Sequence, residues 1–164
     1  MYAVWFTFDK NDETYFSKII SELSKKYDAP VFLPHITVYG LVDVKIDKLD
    51  RMVTESIKEE KPFRVEKKAI SHSDNFWKTV FVQLTPNEHL TRINKKLEKT
   101  LGRFSNYEFK PHTSLIYKKL SVDQREKITK SINVKNSFAV SGMRIQEFSE
   151  NILEWKIVSE YELG

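Results

Sequence analysis

A short pattern written twice constrains this chain more than anything else in it. Pro34-His-Ile-Thr-Val38 and Pro111-His-Thr-Ser-Leu115 share the form Pro-His-x-[Ser/Thr]-apolar, and an offset of 77 carries Pro34, His35 and Thr37 onto Pro111, His112 and Ser114. With five prolines and four histidines in 164 positions, chance supplies about 0.1 Pro-His dipeptides. Two, each with a hydroxyl at the same step, form a signal that neither copy carries alone.

The surrounding periodicity repeats with the motif. Tyr2 to Phe8 reads as a strand, ended by an N-cap candidate in Asp9-Lys-Asn-Asp12. Phe16, Ile19, Ile20, Leu23 and Tyr27 fall at helical spacing, and Pro30 bars continuation. Leu33 to Tyr39 is a strand bounded by Gly40, Asp47 to Glu60 a helix stopped by Pro62, and Phe63 to Ile70 a strand. The order then recurs: strand Trp77 to Leu84, helix Asn87 to Leu101, strand Pro111 to Tyr117, helix Val122 to Ile132. Phe138 to Phe148 and Ile152 to Tyr161 close the chain as an antiparallel pair. A β-α-β-α-β unit occurring twice predicts one domain over 1–164 made of two halves, about 1–75 and 76–164, related by an approximate two-fold axis near which the two motif strands meet.

Composition narrows the chemistry. Cysteine is absent, which excludes disulfides, thiolate metal sites and cysteine nucleophiles. The four glycines stand singly at 40, 102, 142 and 164, so there is no Gly-rich phosphate loop. A net charge of +4 draws anions mildly and falls short of a nucleic-acid-coating protein. No run approaches the ~20 apolar residues of a membrane span. The start MYAVWFTFDKNDE has no basic region or small-residue cleavage site, so a cytoplasmic protein with no membrane association is the expectation.

Alternate residues of a strand share a face, so His35 accompanies Thr37 and His112 accompanies Ser114. If the strands meet, two imidazoles and two hydroxyls converge. That set suits phosphodiester cleavage without a metal. One neutral histidine takes a proton from the attacking oxygen, the other gives one to the leaving oxygen, and an unperturbed pKa near ~6.5 makes both states available. The hydroxyls donate to the non-bridging oxygens, where charge gathers. Two histidines are too few for a zinc site, neither motif holds an Asp, Glu or Cys, and no metal or cofactor is expected. His72 and His89 read as ordinary surface or core side chains.

The paired H-x-[ST]-x motifs resemble the 2H phosphoesterase superfamily. Pro34-His-Ile-Thr-Val-Tyr-Gly40 and Pro111-His-Thr-Ser-Leu-Ile-Tyr117 are more similar to its cyclic phosphodiesterase branch than to the bacterial RNA 2',3'-cyclic phosphodiesterase/ligase branch. Second motifs of the ligase type commonly carry a basic residue where this chain has Ile116-Tyr117. The resemblance implies a bilobal, LigT-like α+β fold with antiparallel sheets lining a central cleft and helices outside, and hydrolysis of a cyclic phosphate on a ribose to a monophosphate. It implies His35 and His112 as acid/base residues, Thr37 and Ser114 as phosphate binders, and Tyr117 and Trp77 as substrate neighbours. Strict alternation turns Tyr117 away from His112, so a bulge or the strand's end must redirect it; alternation nominates Tyr39 instead.

A monomer acting on a small cyclic phosphate is therefore the expectation. An enzyme of RNA ends or 2'-5' oligonucleotides is the runner-up, with Lys78, Lys110, Lys118 and Lys119 as candidates for a basic track. A non-catalytic RNA- or nucleotide-binding module is the alternative of another class, disfavoured because binding alone needs no acid/base pair.

Overall fold

Capping side chains and prolines decide where the elements begin and end. In the computed structural model, which describes all 164 residues, β1 is Tyr2–Phe8 and α1 is Lys10–Tyr27, opened by the Asp9 carboxylate accepting from the Asp12 N–H and closed by Asp28 at φ 53°. There follow β2 (Ile36–Val42), α2 (Ile46–Ser56), β3 (Phe63–His72), β4 (Val80–Leu84) and α3 (Glu88–Leu101). β5 (His112–Ile116), α4 (Val122–Ser131), β6 (Ser137–Glu147) and β7 (Lys156–Glu162) complete the chain. A capping box of Ser121 and Gln124 starts α4. No helix is long and apolar enough to cross a membrane.

Three expected boundaries move for local reasons. β2 starts at Ile36 rather than Leu33, because the proline N–H is missing and the His35 ring takes the Leu33 carbonyl. Trp77 sits in a 3₁₀ turn, Phe76–Lys78, held by the Asn75 side chain accepting from the Trp77 N–H at 3.0 Å and Thr79 donating to the Phe76 carbonyl at 2.9 Å. Ile152–Glu154 is likewise a 3₁₀ turn capped by Asn151, so β7 begins only at Lys156.

All strand pairs are antiparallel, and the order is β2-β1-β6-β3-β4-β5 with β7 along the free edge of β6. The order is unchanged when each strand of the first half is exchanged for its counterpart in the second. Each half lends its third strand to the other: β6 pairs with β1, and β3 with β4. At the centre β3 pairs with β6, and Phe63 faces Val140, two residues related by the motif offset of 77. The expectation that the motif strands meet at the axis is corrected here. β3 and β6 occupy the centre, whereas β2 and β5 are the outermost strands, and they touch because the twisted sheet curls until its ends approach.

Helices cover the convex side, α1 over β5 and α3 over β2, closing a core of 30 buried apolar residues that includes Phe6, Phe16, Leu97 and Phe138. Each fully buried side chain of this size contributes ~1.5–3 kcal/mol. A smaller cluster of Ile20, Phe32, Tyr117 and Ile152 backs the concave side.

β2 and β5 both carry a bulge, at matching positions. On β2, Trp5 faces Thr37 and Val4 faces Tyr39, so Val38 is extra. On β5, Phe81 faces Ser114 and Val80 faces Ile116, so Leu115 is extra. Each bulge follows the hydroxyl residue and reverses the alternation beyond it. The Val38 carbonyl is taken by the buried Asn94 amide of α3 at 2.9 Å. Asn94→Ala is expected to lower stability by about 1–3 kcal/mol, since it strands a buried acceptor. An unchanged urea midpoint would show that Asn94 does not hold the bulge.

Candidate active site

The curled sheet leaves a cleft of about 260 Å³, whose lining includes His35, Thr37, His112 and Ser114. The two imidazole rings are held in the same way. His35 Nδ1 lies 2.7 Å from the Leu33 carbonyl and His112 Nδ1 lies 2.8 Å from the Lys110 carbonyl. A carbonyl only accepts, so each Nδ1 carries the hydrogen and each Nε2 is left with its lone pair. Both rings are thereby set for proton transfer at Nε2.

Their surroundings differ. His35 is 6% exposed, stacked on Trp5 with centroids 3.6 Å apart, and edged by Phe32 and Trp155. Burial pushes its pKa down to about 3, with His112 and Arg144 adding repulsion against the partial relief from the Leu33 carbonyl. His112 is half-buried against the edge of Phe81. Its pKa is also lowered, by desolvation first and then by the Lys78 ammonium.

The hydroxyls and phenols add donors. Ser114 Oγ donates to the Trp77 carbonyl at 3.0 Å, and Tyr107 donates to the Thr37 carbonyl at 3.3 Å. Burial pushes the Tyr107 phenol up to about 12 and that of Tyr117 higher still, so both remain protonated donors. No Asp or Glu lines the cleft, and no group of three or more His, Asp or Glu in the protein is arranged to hold a metal.

Among the expected aromatics, Trp77 and Tyr117 line the cleft and pack edge-to-face at 5.4 Å. The β5 bulge brings Tyr117 to the His112 face. Tyr39 is a correction. The β2 bulge turns it into the core, 1% exposed with its hydroxyl donating to the Ser105 carbonyl, and Gly40 takes the place on the cleft. A Cβ at Gly40 would stand 3.3 Å from that of Ala3, so a small residue suits this wall. Trp5, Phe148 and Trp155 line the cleft as well, and the sequence reading missed them. The available signal for Trp155 and Phe148 was an aromatic on either side of a polar turn. His72 accepts from Arg125, and His89 stacks on Phe63 at 5.0 Å, both outside the cleft.

A family model described as the 2'-5' RNA ligase superfamily matches residues 12–149. The chain belongs to that superfamily, the 2H phosphoesterases. A cyclic phosphodiesterase of Arabidopsis thaliana is 22% identical over 126 residues, covering 77% of this chain and 70% of the relative. Among solved structures, TT0787 of Thermus thermophilus aligns with a TM-score of 0.68 at 15% identity over 99% of this chain and 97% of its own. E. coli LigT complexed with 3'-AMP aligns at 0.63 and 14%, with the same coverage. At these identities the structural likeness establishes the α+β fold common to these 2H phosphoesterases.

The low pKa of His35 links the site to folding. Between pH 6.5 and about 3 the unfolded chain binds a proton that the folded protein refuses. The contribution to stability is therefore complete above pH 6.5 and lost as pH falls, at up to ~1.4 kcal/mol per pH unit. Urea denaturation followed from pH 7 to 4 is expected to be shallower in pH by about one proton for His35→Asn. An unchanged slope would mean that His35 titrates normally in the fold.

Proposed function

We propose that this protein is a metal-independent phosphodiesterase that opens a cyclic phosphate on a ribose to a monophosphate by two-histidine acid/base catalysis. The observation that carries the reading is the pair of Nδ1-anchored imidazoles with two hydroxyls on one carboxylate-free cleft. The name of the Arabidopsis relative, cyclic phosphodiesterase, and the complexes of LigT with 3'-AMP and with phosphate support it.

In this reading His35 is the base, because its burial keeps it neutral, and His112, nearer solvent, is the acid. His35 Nε2 removes a proton from water, whose oxygen bonds to phosphorus. The ring P–O bond breaks, and the Nε2 proton of His112 goes to the departing ribose oxygen. Thr37 and Ser114 hold the non-bridging oxygens, Ser114 exchanging its bond to the Trp77 carbonyl for one to phosphate. Trp77 and Tyr117 supply apolar faces for the rest of the substrate. RNA ends or 2'-5' oligonucleotides are the second reading, favoured by the family description. Of the basic track, Lys78 lines the cleft, whereas Lys118 is folded back onto the Asp28 carbonyl at 3.0 Å.

Turnover of 2',3'-cyclic mononucleotides, ADP-ribose 1'',2''-cyclic phosphate and short 2'-5' oligonucleotides is expected to identify a cyclic phosphate as the best substrate and to survive EDTA. Loss in EDTA with recovery on a divalent ion would indicate a metallohydrolase. His35→Ala and His112→Ala are each expected to lower kcat by about 10²–10⁴, and Thr37→Ala and Ser114→Ala by about 10–10³. The two histidine losses should be non-additive, because neither proton transfer completes without the other. Tyr39→Phe and His72→Ala should be nearly silent. With both histidine pKa values lowered, the free-enzyme bell in kcat/KM should peak on the acid side of pH 6.5, its acid limb from His35 and its basic limb from His112. Full activity in a folded His112→Ala protein would contradict the assignment.

A further inference from the structure

Among the sixteen residues that line the cleft, one carries a permanent charge of either sign, Lys78. It belongs to the 3₁₀ turn before β4, fixed at both ends by the Asn75 and Thr79 side chains. Its ammonium rests 4.6 Å above the Phe81 ring, and the same ring meets His112 edge-on at 5.4 Å. None of the protein's salt bridges includes Lys78, while its neighbour Lys110 is occupied with Glu108 at 3.6 Å. A partly desolvated cation with no carboxylate beside it is arranged for an anion that arrives from outside.

We propose that Lys78 binds the phosphate charge of the ligand and, by doing so, decides when His112 carries a proton. The groups facing His112 are Lys78 from the turn, Phe81 from β4, His35 from the segment before β2, and the Lys110 carbonyl from its own segment. The only full charge among them is positive, which favours neutral imidazole. An arriving phosphate monoanion offsets that charge and removes the repulsion that favours the neutral ring. His112 then takes up a proton, and becomes a proton donor only with the anion in place. Lys78 also favours the dianionic monoester over the singly charged cyclic diester, so it strengthens as charge develops. The role in turnover rests on the function proposed above; phosphate binding and the coupling to His112 do not.

The test is an NMR titration of the His112 ring in the whole protein, free and with inorganic phosphate, for wild type, Lys78→Met and Lys78→Arg. In wild type, phosphate should raise the His112 pKa. In Lys78→Met the free-protein pKa should already be raised, and phosphate affinity should fall about 10- to 100-fold, as for loss of a charge-assisted hydrogen bond. Lys78→Arg should retain most of the affinity. With a cyclic phosphate substrate, Lys78→Met should raise KM more than it lowers kcat, and the basic limb of kcat/KM should move to higher pH. Unchanged phosphate affinity and an unchanged His112 titration in Lys78→Met would overturn the proposal. If wild type binds phosphate with the expected His112 shift yet turns over no cyclic phosphate, the function proposed above falls and the Lys78 assignment stands.

Discussion

The sheet is continuous only through the pairing of β3 with β6. That pairing spans only Phe63 to Glu66 against Ser137 to Val140, yet it joins β2-β1-β6-β7 to β3-β4-β5 in one sheet. Because each half of the sequence lends its third strand to the other, neither half holds a complete lobe. The pairing also sets the distance between the motif strands. β2 and β5 lie at the two ends of the strand order, and they approach only because the twist accumulated between them curls the sheet.

On this near-symmetric frame the two halves carry different environments. His35 and His112 have the same anchor, a carbonyl two residues back, and the same bulge follows Thr37 and Ser114. One bulge then presents Gly40 to the cleft and the other presents Tyr117. One histidine is enclosed by Trp5, Phe32 and Trp155, while the other lies near a lysine. In the proposed reaction this difference assigns the roles, since the more deeply buried ring stays neutral and the other is left to carry the proton.

Much of the fold was legible along the chain. The expected helices Asn87 to Leu101 and Val122 to Ile132 match α3 and α4 to within a residue at each end. The closing β6–β7 pair was visible as two strands across a polar turn. The readings of Tyr39 and Tyr117 moved for one cause, an alternation that runs through a bulge. Tyr39 was nominated and Tyr117 was doubted because a period of two has no place for the extra Val38 and Leu115, and a bulge is set by partner strands that the local sequence does not show. Trp5 escaped because nothing in its own strand distinguishes a cleft aromatic from a core one.

Element order, the spacing of the repeated motif and the side chains that Pro-His-x-[Ser/Thr] places together all follow from local sequence, because caps, prolines and a two-residue period act within a few residues of where they stand. Tertiary structure alone decided that the motif strands would be the sheet's outer edges, that Tyr117 and not Tyr39 would enter the cleft, and that His35 would lose its charge while His112 stood beside Lys78. Those outcomes depend on strand register, sheet curvature and burial, each of which is a relation between segments distant in sequence.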